Sequence, residues 1–359
     1  MQLYEYEGKN LLRRVGLAVP PGGLWPDYPV GLQFPVAAKA QVAGGGRGLR
    51  GGVRRVDRPG DLEAVVARLE QTELDGRTPR VVLIEEWVPV ERELFLAVVV
   101  DRDRGLPLLL CSDRGGVDVE HSHSGLRLPV DPWLMPKPHH IRSICDVLRL
   151  PYDVAFPWID GLWNIFRGMD ALLVEVNPLG AVGNQLVALD ARVVLDDNAR
   201  HRRAYEIHGV PGTAFETACG AVGSSGVEMD GEVAIITSGA GLAMSSLDLL
   251  VSMGGRPRAI VDLGTVVFQD PEKIGRIIDA VRMLSPNVLL FNFYFQLARC
   301  DTIARGVVDT LAHGPWTRVV FRMRGVGVKE ARRILEGTGA LLYEDLTEAM
   351  RAAVHTAGA

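Results

Sequence analysis

The chain has 359 residues, 39 Lys and Arg against 44 Asp and Glu, a net charge of −5 and 47% hydrophobic residues. That length suits about two domains with separate cores, and the charge balance excludes a global attraction to nucleic acid, so any polyanion has to be held locally. The four cysteines lie far apart with no CxxC pair, which argues against a zinc or disulfide framework and for a reducing, cytoplasmic location. A charged N-terminus and the lack of an apolar run of about 18 residues predict neither a signal peptide nor a membrane span.

The first predicted element is a short helix over residues 5–16, stopped by Pro20 and Pro21. After the apolar stretch "FPVAA" comes "KAQVAGGGRGLRGG", a glycine-dense hairpin carrying Lys39, Arg47 and Arg50. Bare backbone lets N–H groups approach an anion closely, and the cations suit a polyphosphate; a plain flexible hairpin is the competing reading. "DLEAVVARLEQ" predicts a helix with Leu62, Val65, Val66 and Leu69 on one face and Asp61 as its cap. Strand patterns follow at "RVVLIEE", "RELFLAVVVDR" and "LPLLLCSDRGG", at hairpin spacing.

Glu85 ends one of these strands and Glu93 opens the next, so both are candidates for the base and ribose region of a nucleotide, although strand-end glutamates are commonly just solvated. "LLVEVNPLG" and "QLVALDARV" read as two strands joined by a glycine turn. Alternation then places Glu175 and Asn177 on one face, with Asp190 on the partner strand able to join them as an oxygen site for Mg²⁺. "HGVPGTAFETACGAVGSSGVEMDG" reads as the linker region, with the domain boundary at 228/229. Beyond it, "EVAIIT", "RAIVDL", "NVLLFNF", "RVVFRM" and "ALLYED" alternate with helical patterns. Among these, "DPEKIGRIIDAVRML" carries Asp270 as cap, Pro271 in its first turn, and Ile274, Ile277, Ile278 and Val281 on one face. Five strand–helix units predict a doubly wound parallel sheet.

In this order, the lysine, the glycine hairpin, the strand glutamates and the "EVNP…ALDA" pair resemble the ATP-grasp fold. More closely, "LYEYEGKNLLRRVGLAVPPG", "KAQV…GGRG…GG", "RGGVDVE", "ALDARVVLDDNA", "GAGLAMSSLDLL" and "RCDTIARGVV" resemble the β subunit of succinyl-CoA synthetase and its malate–CoA ligase relatives, nearly end to end. The resemblance implies an N-terminal ATP-grasp domain over 1–228 and a flavodoxin-like CoA-ligase domain over 229–359. It implies ATP or GTP as nucleotide, Mg²⁺, a small dicarboxylic acid, and an α-type partner subunit, in a heterodimer or heterotetramer, carrying CoA and a phosphorylated histidine. Lys39 would hold phosphates; Gly46, Arg47 and Gly48 would cover them; Glu85, Val88 and Glu93 would line base and ribose; Asn177 and Asp190 would hold the metal; and Ser238, Gln296, Leu297 and Ala298 would face the substrate.

Six of the eight histidines lie in polar, loop-like stretches, and His313 and His355 at helix-end or tail positions. A nucleophile needs a base or orienting partner held within reach, so the phosphoacceptor is expected on the partner and no catalytic residue is assigned to this chain. The acyl half departs from the family. Ser238 replaces an asparagine, Gly264 stands alone where a triplet is usual, and Phe295 and Gln296 replace a glycine pair expected to open a helix. In the lid Ala43 and Leu49 replace a histidine and a lysine, with Arg50 nearby. A catalytic β subunit, a non-catalytic paralogue acting in regulation or assembly, and a stand-alone carboxylate–amine ligase all fit these residues.

Overall fold

A computed structural model describes residues 1–42, 46–74, 78–79, 81–116, 125–203, 207–264, 273–312 and 318–358. The chain divides into two compact units, Met1–Val210 and Pro211–Ala359. The expected boundary at 228/229 falls inside the second.

In the first unit, helix α1 (Glu5–Arg14) ends two residues before the predicted span. Gly8 lets it approach the chain beyond, because a Cβ there would already stand 3.3 Å from Ala191 and Val193. Strands β1 (Gly22–Leu24), β2 (Val36–Ala40), β3 (Val53–Val56) and β4 (Val82–Glu86) form an antiparallel sheet in the order β1-β4-β2-β3. Helix α2 (Leu62–Gln71) covers it with Leu62, Val66 and Leu69. Asp61 stands at the cap position but already has helical dihedrals, and its side chain makes no capping bond.

The second sheet has the order β10-β8-β5-β6-β7, with β9 also paired to β8. Its strands are β5 (Arg92–Asp101), β6 (Leu106–Ser112), β7 (Leu126–Pro129), β8 (Ala171–Val182), β9 (Gln185–Ala188) and β10 (Arg192–Leu195). Two helices beyond those predicted, α3 (Pro138–Leu148) and α4 (Tyr152–Gly168), bury Ile141, Ile144, Trp158, Leu162 and Trp163 against its core. The stretch read as one strand, "QLVALDARV", is two. It breaks at Leu189–Ala191, and Asp190 sits in the break.

In the second unit the stretch expected as linker is folded. Helix α5 (Ala214–Ala221) starts with Thr213 and Glu216 capping each other's backbone N–H. Strand β11 (Ser225–Glu228) then pairs antiparallel with residues 259–262. The strands β12 (Val233–Thr237), β13 (Pro257–Asp262), β14 (Val288–Phe295), β15 (Val319–Gly325) and β16 (Leu341–Tyr343) are parallel, in the order β11-β13-β12-β14-β15-β16.

Helices α5, α7 (Lys273–Arg282), α8 (Cys300–Leu311) and α9 (Val328–Leu335) cover one face, and α6 (Ala240–Ser252) and α10 (Leu346–Ala357) the other. This is the doubly wound arrangement, whose strand order reverses between β12 and β14. Ile274, Ile277, Ile278 and Val281 are buried as expected, while Asp270 and Pro271 lie outside the described residues. No described helix is long and apolar enough to cross a membrane.

Candidate functional site

All nine residues assigned from the sequence to nucleotide and metal border one cavity of about 640 Å³ in the first unit: Lys39, Gly46, Arg47, Gly48, Glu85, Val88, Glu93, Asn177 and Asp190. Sheet pairing explains part of the convergence. Lys39 on β2 lies opposite Leu83 of β4, and Ala37 opposite Glu85, so Lys39 and Glu85 stand on adjacent strands two positions apart. The glycine hairpin is closed at its base by Gly52 N–H donating to the Arg47 carbonyl (2.8 Å) and Ala40 N–H donating to that of Gly52 (2.8 Å). Gly46 has φ +68, a conformation glycine adopts without strain. Ala43, Gly44 and Gly45 lie outside the described residues.

The wall holds a buried charge network that the sequence reading missed in part. The Lys9 ammonium donates to both carboxylate oxygens of Glu85 (2.7 Å each) and to the Leu189 carbonyl (2.8 Å), and pairs with Glu5 (2.8 Å). Lys39 Nζ reaches Glu5 (3.1 Å), Glu85 (2.5 Å) and the same Leu189 carbonyl (2.5 Å). Arg47 donates to the Ala40 carbonyl (3.0 Å), to Glu5 (2.8 Å) and to both oxygens of Asp190 (2.8 and 2.9 Å). Three cations thus balance three carboxylates. Glu5 and Lys9 went unread because an i,i+4 pair on a helix is ordinarily solvated; the available signal was their place on the same face as Gly8 and Leu12.

Burial pushes the Glu5 carboxyl up, but Lys39, Lys9 and Arg47 together outweigh it and hold the group well below its ordinary value. Burial works against the Lys39 and Arg47 charges too, yet their carboxylate neighbours raise both. The signs give a pH dependence. The contribution of Glu5 is full above its ordinary 4.5 and is lost as pH falls through the lowered folded value. That of Lys39 is full below its ordinary 10.5 and is lost only as pH rises through the raised folded value. Thermal melts from acid to alkaline pH should show this unit's midpoint level from about pH 6 to 9 and falling below about pH 4.5, with a shallower acid limb in Glu5→Gln.

The oxygen donors fit a hard cation only in part by themselves. Asn177 Oδ1 accepts from Gly116 N–H (2.6 Å), and its amide donates to the Gly116 carbonyl (3.2 Å) and to Glu175 (3.4 Å). Asp190 is held by Arg47 and by Ala191 N–H (2.7 Å). Among the described residues no three His, Cys, Asp or Glu side chains cluster as a metal cage. One carboxylate and one amide oxygen suit Mg²⁺ of the kind held mainly by substrate phosphates.

The residues expected to face substrate lie in the second unit, at the C-terminal ends of β12 and β14. Ser238 Oγ accepts from Tyr294 N–H (2.9 Å) and donates to the Tyr294 carbonyl (3.3 Å), tying the two strand ends together. The expectation that Phe295 and Gln296 open a helix is corrected. Phe295 is the last residue of β14, buried in the core 5.1 Å from the Phe293 ring, and α8 starts only at Cys300. Gln296 is exposed, Leu297 is 93% exposed, and Ala298 packs on the core. None of the described histidines borders the cavity of the first unit, and His121, His123 and His313 lie outside the described residues.

The ATP-grasp domain family model matches residues 2–181, and the CoA-ligase model matches residues 236–356. The chain is 36% identical to the β subunit of ADP-forming succinate–CoA ligase from Rubrobacter xylanophilus, covering 99% of each chain. It is 33% identical to the same subunit from Methanothermobacter thermautotrophicus, again covering 99% of each. Its fold resembles that of ATP citrate lyase from Methanothrix soehngenii, solved with citrate and coenzyme A, at a TM-score of 0.69 and 17% identity over 99% of each chain. Two family models in this order, and relatives that match from end to end, place the chain in the family of ADP-forming succinate–CoA ligase β subunits, acid–CoA ligases built from an ATP-grasp and a CoA-ligase domain.

Proposed function

We propose that the cavity binds a Mg-nucleotide, ATP or GTP, and that the chain passes a phosphoryl group to a histidine on an α-type partner, which also carries CoA. One observation carries the reading: the nine motif residues, drawn from positions 39 to 190, border one cavity, with Lys39 and Arg47 among the cations in its wall. Lys39 and Arg47 would exchange their carboxylate partners for phosphate oxygens, beneath the Gly46–Gly48 backbone. Val88 and Glu93 would line base and ribose; Glu85 borders the same wall, although its carboxylate is taken by Lys9 and Lys39. Asn177 and Asp190 would hold Mg²⁺, which neutralises charge on the transferring group. Phosphoryl transfer needs positioning and charge more than covalent help from this chain. Ser238, Gln296, Leu297 and Ala298 would face a small dicarboxylic acid, in a cytoplasmic heteromer of two or four chains.

Titration calorimetry of the chain alone should detect Mg·ATP or Mg·GTP, with Asp190→Ala weakening the Mg²⁺-dependent part about tenfold or more. Acyl-CoA formation from succinate, malate or citrate should require an added α-type subunit. Turnover by this chain alone would contradict the two-subunit reading. Nucleotide binding without turnover beside a competent partner would instead support a regulatory or assembly role.

A further inference from the structure

We propose that Lys9 is a positioning residue of the cavity, a resident countercharge that stays with Glu5 and Glu85 so that Lys39 can leave them for phosphate. The inference rests on the nucleotide reading. Its ground is a duplication: the two ammonium groups share Glu5 Oε1, Glu85 Oε1 and the Leu189 carbonyl as acceptors. An ammonium group has three N–H donors, so either lysine alone can serve the set. Only Lys39 borders the cavity; Lys9 is 1% exposed and lies behind the wall.

The exchange matters because of burial. Glu5 is 4% and Glu85 2% exposed, and a buried carboxylate stripped of its cation loses far more than a solvated one. When the Lys39 ammonium turns to a polyphosphate, Lys9 still serves every acceptor it leaves. Glu5 also keeps the Gln41 amide at 3.2 Å. Without Lys9, nucleotide binding would strand carboxylates in the wall, and affinity would fall although Lys9 never meets the ligand.

Lys9→Met alone leaves an unbalanced buried charge and is open to misfolding, so the charge-balanced Glu5→Gln/Lys9→Met carries the test. There Glu85 depends on Lys39 as its only lysine partner. Calorimetry with Mg·ADP should give a Kd raised about tenfold or more over the unsubstituted chain, with a melting profile still cooperative. Adding Glu85→Gln removes the carboxylate that Lys39 would abandon and should bring Kd back to within about threefold. If Glu5→Gln/Lys9→Met binds as the unsubstituted chain does, the countercharge role is wrong. A loss that Glu85→Gln leaves uncorrected makes Lys9 merely structural, and likewise overturns it. An unsubstituted chain that binds no nucleotide overturns the nucleotide reading and this inference together.

Discussion

Glu5→Gln should lower the melting temperature of the first unit by roughly 10 °C, and nucleotide should restore more of the loss than it adds to the unsubstituted chain. Among the described carboxylates Glu5 alone meets all three cations of the network: Lys9 at 2.8 Å, Lys39 at 3.1 Å and Arg47 at 2.8 Å. A glutamine there presents an amide donor to donors and leaves a buried positive excess. Breaking a buried pair from one side costs about 3–5 kcal/mol, and each kcal/mol moves the midpoint of a unit this size by about 2–4 °C. A polyphosphate supplies the missing negative charge. Ligand at a hundred times its Kd contributes about 2.7 kcal/mol to any folded state that binds it, and the variant, with Lys39 less tethered, should gain more. Differential scanning calorimetry with and without Mg·ADP measures both quantities. An unchanged midpoint would mean that Glu5 does not hold the network.

Phe295→Gly should destabilise the second unit by about 3–5 kcal/mol through lost aromatic packing, with a further ~0.5–1 kcal/mol for a glycine in a strand. The ring is 1% exposed and shares its face of β14 with Phe291 and Phe293. β14 also runs so close to β15 that a Cβ on Gly325 would fall 1.9 Å from the Phe295 carbonyl oxygen, which leaves little room for the strand to shift. Gln296→Gly, in the exposed loop that follows, should change stability by no more than about 0.5 kcal/mol. Restoring the family's glycine pair would therefore damage the core at one position and do little at the other. Chemical denaturation of the two single variants separates these outcomes; equal, small effects would show that Phe295 is not a core residue.

The two-part architecture and nine of the residues that border the cavity were legible in the sequence. Helical and alternating apolar periods survive from local pattern to fold, as in Ile274, Ile277, Ile278 and Val281, and strand register carries Lys39 and Glu85 to one wall. What these groups do to one another depends on packing between distant segments. Glu5 and Lys9 look like a solvated helix pair until α1 packs through Gly8 and buries them against Lys39 and Glu85, which are 34 and 76 residues away from their respective partners. Asp190 read as a strand residue because alternation continues through "QLVALDARV"; the break between β9 and β10 turns its carboxylate to Arg47 instead. Phe295 read as the start of a helix because motif likeness fixes position along the chain but not the direction of a side chain. That direction is set by the pleat of β14, which sends alternate residues to opposite faces and this one into the core.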